Sequence, residues 1–229
     1  MSDRLTVLSS MATRSVLAEL ARDFELAAGA PVALEATGGV DAAKRVRAGG
    51  SVDVVVLAAP VMEQLEREGH LVDGSRADVA RSGMAIAVPA AGPRVDVGDA
   101  AAVRRAMLSA RRVSYSTGPS GDHVRALWRF WGIDDAMAAK SLQAPPGVPV
   151  AELLARGDAD LGFQQLSEFV GAPGIAVLGP LPAEIQAVTT FSAAVSRAST
   201  RPGAARAFVG HLASPAAAAA KRRQGLEPA

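Results

Sequence analysis

The sequence predicts an α/β protein built as two lobes. Apolar runs alternate with stretches whose apolar residues recur at helical spacing, and this alternation restarts after the Pro/Gly cluster Pro89–Pro93. The length of 229 residues also exceeds the ~150 residues typical of one domain.

Along the chain, Leu5, Val7 and Leu8 read as a strand, and Val16, Leu17, Leu20, Ala21 and Phe24 fall on one face of a helix. The unit repeats. Val32, Leu34 and Ala36 alternate, Thr37-Gly38-Gly39 turns the chain, Val40, Ala43 and Val46 mark a helix, and Val54–Ala58 is an unbroken apolar run. Unbroken runs between amphipathic helices belong to strands covered on both faces, as in a parallel sheet. Met84–Val88 is the next strand, and the Pro/Gly cluster after it marks the crossing into the second lobe.

The second series has a helix over Ala100–Ala110, a strand Arg112–Ser116 and a helix on which Val124, Leu127 and Trp131 share a face. Asp160–Phe163 and Ile175–Leu178 are short strands. Ile185–Ser192 is a longer one that returns the chain to the first lobe, where two helices, one around Phe208 and one through Ala216–Ala220, complete it. The expected lobes are residues 1–84 plus 190–229, and residues 85–189.

Composition removes several function classes. With 24 Lys and Arg against 23 Asp and Glu, the net charge of +1 provides no field for nucleic acid or an anionic membrane. Aromatic residues at 4% are too sparse for a base-stacking platform. The absence of Cys excludes disulfides, thiolate metal sites and thiol nucleophiles, and His70, His123 and His211 lack metal-ligand spacing, so neither a metal nor a cofactor is expected. The N-terminus has no secretory signal pattern and no apolar run approaches the ~20 residues of a membrane span. The expected location is therefore cytoplasmic, or periplasmic if the chain is a mature form, and a transporter permease is a partner only in an exported protein.

Open α/β sheets bind ligands beyond the carboxyl ends of their strands, where loops run into helix N-termini. Here those loops are small and polar: Ser9-Ser10, Thr37-Gly38-Gly39 and Ser116-Thr117-Gly118-Pro119-Ser120-Gly121. Helix N–H groups, the helix dipole and short hydroxyls bind anions without Lys or Arg, although Ser and Thr also serve as plain N-caps. Asp122 follows Gly121 where a nucleophile elbow needs Gly, and neither a phosphate loop nor a dinucleotide fingerprint is present. Asp122 and His123, in the first turn of a helix beside Ser120, are the candidate proton-transfer residues. Tyr115 and Glu168 follow them in order of preference. The adjacent amides of Gln164 and Gln165 can donate to an oxyanion and accept from a protonated ligand group, or mark a solvated helix start.

The ordered segments Leu8-Ser9-Ser10-Met11-Ala12-Thr13-Arg14, Thr37-Gly38-Gly39-Val40-Asp41, Asp53-Val54-Val55-Val56-Leu57-Ala58-Ala59, Tyr115–Gly121 and Gly157–Glu168 resemble the molybdate-binding-protein-like branch of type 2 periplasmic binding proteins. The resemblance extends to Gly179-Pro180-Leu181-Pro182 and Gly225-Leu226-Glu227-Pro228. It implies two α/β lobes joined by two crossing strands, with the ligand in the cleft between them. By position it implies ligand contacts from Ser9, Ser10, Gly38, Gly39, Ala58, Ala59, Thr117, Ser120, Val150, and Gln164 or Gln165. Molybdate binders carry a Ser, Ala, Asp pattern where this chain has Leu57-Ala58-Ala59-Pro60. The same broad family includes aconitate isomerase, which moves a proton across an allylic tricarboxylate.

The sequence thus leads to the expectation of a small-anion binder, with carboxylates ahead of tetrahedral oxyanions and isomerisation of a di- or tricarboxylate as the enzymatic form. The alternatives are a molybdate-type transport protein and a ligand sensor acting through a partner.

Overall fold

The computed structural model describes residues 4–229. The chain opens with β1 (Leu5–Ser10), α1 (Arg14–Ala28), β2 (Val32–Thr37), α2 (Gly39–Arg47), β3 (Val54–Ala58) and α3 (Ala59–Arg67). The long strand β4 (Ala77–Pro89) leads into α4 (Ala100–Ser109), β5 (Val113–Tyr115), α5 (Pro119–Trp131), α6 (Asp134–Ala138) and β6 (Ser141–Gln143). Then come α7 (Val150–Ala155), β7 (Leu161–Gln165), α8 (Leu166–Phe169) and β8 (Ile175–Pro180). The return strand β9 (Val188–Val195) is followed by α9 (Pro202–Ala213), α10 (Ala218–Arg223) and the short β10 (Glu227–Pro228).

Two units result, one ending at Arg81 and resuming at Thr189–Ala229, the other Ser82–Val188. The chain changes unit inside β4 rather than at Pro89–Pro93. The amino half of β4 holds Arg81 and Ala80 against Glu227 and Pro228, while Met84–Ala87 pairs antiparallel with Gln165–Gly162. The strand therefore begins at Ala77, well before the apolar run that announces it, because its polar first half is fixed by pairing with residues far along the chain. The return strand likewise runs later than the apolar pattern suggests, since Ile185 sits in a 3-10 turn.

In unit 1, β1 pairs in parallel with β2 and β3, and β9 runs antiparallel to β3. Strand alternation divides the core. Leu5, Val7, Val54 and Val56 face a cluster with Val16, Leu20, Phe24 and Phe208, whereas Leu8, Val55 and Leu57 face one with Val46, Met62 and Leu65. Every residue of β3 is buried, as a strand with helices on both faces requires.

Unit 2 repeats the logic with β5 parallel to both β6 and β7, while β4 runs antiparallel between β7 and β8. Met84, Ile86, Tyr115 and Phe163 pack with Val124, Leu127 and Trp128, and Ala85 and Ala87 pack with Val150, Leu154 and Phe169. Trp128 meets Tyr115 edge to face at 5.1 Å between ring centres, so it is a core residue. Gly162 lets α7 lie directly on β7, since a side-chain carbon there would come within 2.7 Å of Val150 and 2.8 Å of Leu154.

Candidate functional site

Parallel pairing places strand ends together. In unit 1 the register Ser10↔Thr37 and Ser9↔Val56 brings the carboxyl ends of β1, β2 and β3 to one edge of the sheet. In unit 2 the register Tyr115↔Phe163 and Tyr115↔Gln143 does the same for β5, β7 and β6. Each edge is where the following helices begin.

Those helix starts are uncapped. Gly38 precedes α2, Ala58 precedes α3 and Gly118 precedes α5, and none supplies a side-chain acceptor to the first turn. By contrast α4 is capped in the ordinary way, the Asp99 carboxylate accepting from the Ala102 N–H at 2.7 Å. Ala is a poor N-cap, so the edge turns leave helix N–H groups available to an outside anion at some cost in helix stability.

Ser10 adds a hydroxyl to the unit 1 edge. It is 8% exposed and its Oγ has no hydrogen-bond partner among the described residues. A side-chain carbon on Gly39 would stand 4.0 Å from the Ser10 Cβ, so this hydroxyl adjoins the start of α2. A buried hydroxyl left unpaired costs about 1–3 kcal/mol, which a ligand oxygen would recover. Ser9 differs. It is fully buried, and its hydroxyl makes a long 3.5 Å bond to the Glu35 carbonyl.

On the unit 2 edge the Ser116 and Ser120 hydroxyls lie 2.7 Å apart, and Thr117 and Gly118 between them are partly open. This turn depends on Gly121, whose replacement by any larger residue would put a carbon 1.9 Å from the Ser116 carbonyl oxygen.

Five predicted residues make contacts within the protein or lie at its surface. Gln164, 2% exposed, accepts from the Val150 N–H at 2.9 Å and donates to Glu168 Oε2 at 2.6 Å. Its amide is thus spent inside the protein, and so is the Val150 N–H expected to meet the ligand. Gln164 and Gln165 are the buried end of β7 rather than a solvated helix start, because β4 pairs with them. His123 is bonded through Nε2 to the Ile185 carbonyl at 2.8 Å, which ties α5 to the turn before β9. Asp122 is solvent-exposed and paired with Arg125 one turn on.

Glu168, the last of the sequence candidates, stands out instead. It lies on α8 immediately after β7, keeps part of its surface open, and accepts one hydrogen bond, from Gln164. Burial pushes its carboxyl up from 4.5 to about 8, and no neighbouring charge contributes. The signal available in the sequence is the spacing of four between Gln164 and Glu168 across the strand-to-helix junction. Without knowledge that the junction is buried, it reads as surface chemistry.

Comparison with known proteins fits this geometry. The model of the family described as bacterial extracellular solute-binding protein matches residues 5–227. The chain is 35% identical over 230 residues to an aconitate isomerase from Pseudomonas sp, covering 98% of this chain and 87% of that protein. Its fold matches the Azotobacter vinelandii periplasmic molybdate-binding protein with a TM-score of 0.84 at 20% identity, over 97% of this chain and 98% of the other. It also matches a binding protein of A. tumefaciens R10 in complex with agropinic acid, with a TM-score of 0.71 at 16% identity, over 98% and 83% of the two chains. With nearly its whole length inside the family pattern, this chain is a member of the bacterial extracellular solute-binding protein family and has the mixed α/β fold of periplasmic binding proteins.

Proposed function

We propose that this protein binds a small di- or tricarboxylate and isomerises an aconitate-type substrate by an allylic proton shift. The observation that carries this reading is the 35% identity to an aconitate isomerase along 98% of the chain. Transport-type oxyanion binding is the weaker reading, since its support is a likeness of fold at 20% identity.

The chemistry of the edges suits the proposal. In unit 1 the uncapped N–H groups of α2 and α3 with the Ser10 hydroxyl, and in unit 2 those of α5 with the Ser120 hydroxyl, are donors suited to carboxylate oxygens. The same donors stabilise the charge that spreads onto a carboxylate when an adjacent carbon loses its proton.

Thermal stabilisation separates the two readings. Against molybdate, tungstate, sulfate, phosphate and a series of di- and tricarboxylates, cis- and trans-aconitate should stabilise by about 2.7 kcal/mol at 100 times the dissociation constant. For a chain of this length that is a rise in Tm of about 5–10 °C. A shift with molybdate or tungstate alone would replace the isomerase reading with the transport one.

A further inference from the structure

We propose that Glu168 is the group that carries the proton in this reaction, and that Gln164 is its positioning residue. The inference rests on the isomerase reading above and adds to it the identity of the base.

The argument starts from placement. The parallel register Tyr115↔Phe163 sets the residues after β7 on the same edge as the Ser116–Ser120 turn that follows β5. Glu168 is one helical turn beyond the end of β7 on that edge, and it remains partly accessible while Gln164 and Gln165 beneath it are 2% and 3% exposed. Gln164 is itself locked, its carbonyl oxygen held by the Val150 N–H, so its amide N–H is directed to one carboxyl oxygen of Glu168. The other oxygen, Oε1, has no hydrogen-bond partner among the described residues.

This arrangement answers a physical difficulty. A fixed carboxylate beside a site for a polyanion would repel the ligand. Burial keeps Glu168 largely protonated at neutral pH, so the ligand meets a neutral donor and the carboxylate form is reached by losing a single proton near pH 8. His123 is instead bonded through Nε2 to a carbonyl, and Asp122 is paired with Arg125 on the surface.

The step balances without a co-reactant. Glu168 as carboxylate removes a proton from the substrate CH2 next to the double bond. The C–H electron pair forms a new C=C bond to the central carbon, the old C=C bond breaks, and the far carbon takes the proton back from the Glu168 carboxyl. Nothing is oxidised or reduced, and Glu168 ends as it began. Because the carboxyl is partly open to water, the proton it has captured exchanges with solvent before one is returned to the far carbon.

The test is conversion of cis- to trans-aconitate in D2O, followed by NMR, with the full-length chain as wild type, Glu168→Gln and Gln164→Leu. Wild type should form product carrying deuterium at one carbon, with kcat/KM rising with pH to a plateau above about pH 8. Glu168→Gln should lose about 100-fold or more in rate while retaining the aconitate-induced rise in Tm that reports an intact, ligand-binding fold. Gln164→Leu should turn over more slowly and with its pH limb displaced, a displacement that loss of packing alone would not produce. Wild-type activity retained in Glu168→Gln would overturn the assignment and leave the isomerase reading standing. Wild-type protein that is stabilised by aconitate yet converts none would overturn both.

Discussion

Two buried carboxyl groups, one in each unit, have opposite fates. Asp53 stands at the amino edge of the unit 1 sheet, just before β3, and is 5% exposed. Burial alone would raise its pKa, but the Thr6 N–H at 2.8 Å, the Ser199 hydroxyl at 2.7 Å and the Thr6 hydroxyl at 2.9 Å, with the charge of Arg201, hold it below the usual aspartate range. Glu168, at the carboxyl edge of unit 2, has one donor and is pushed up to about 8. The lesson is that burial does not decide what an acid does. Donor number does: a saturated carboxylate fastens β1 to the loop after β9, and an undersupplied one stays free to exchange its proton.

The largest effect that would test this contrast is in activity, where Glu168→Gln should be nearly inert and Asp53→Asn should keep kcat. In stability the order reverses. Asp53→Asn removes charge-assisted hydrogen bonds and should lose about 1.5–3 kcal/mol in urea unfolding at neutral pH. Because the folded pKa of Asp53 is depressed, its contribution is present above the ordinary aspartate range and disappears as pH falls through the folded value, so the two proteins should converge in acid. Equal losses at pH 3 and pH 7 would show that the deficit is packing rather than charge.

Glu168 gives the opposite slope. Between 4.5 and about 8 the folded protein keeps a proton that the unfolded chain releases, so stability relative to Glu168→Gln should fall as pH rises across that window. Chemical denaturation at pH 5 and pH 8 measures it, and a difference that does not change with pH would remove the case for a perturbed carboxyl.

The smallest expected effect lies at Ser10. Ser10→Ala deletes a buried hydroxyl without a partner, so the ligand-free Tm should hold or rise slightly while aconitate affinity falls about five- to tenfold, roughly 1 kcal/mol. Loss of stability without loss of affinity, read by calorimetric titration, would move Ser10 from ligand contact to core.

Much of the fold is visible in the sequence because it is written in local periodicity: the helical stripe of Val16, Leu20 and Phe24, the apolar run of β3, the Gly-containing turns before α2 and α5. What escapes is non-local. The polar first half of β4 becomes strand through partners far along the chain, Glu227 and Pro228 among them. Gln164 and Gln165 look like a solvated turn until β4 and α7 cover them, and Glu168 looks like an ordinary acid in a first helical turn until that same packing raises its pKa. His123 has suitable chemistry, but a carbonyl 62 residues away engages its Nε2. The small, hydroxyl-bearing turns are legible because their residues cluster in sequence, whereas a carboxyl with a raised pKa is made by surroundings that the chain assembles from distant parts.

The central claim is that the bound carboxylate is not merely held but rearranged. The most direct measurement is a proton NMR time course of the wild-type protein started separately from cis- and from trans-aconitate. Convergence of both samples on one mixture, at a rate proportional to protein concentration, is the predicted result. Two unchanging spectra at a protein concentration that saturates the ligand would contradict it.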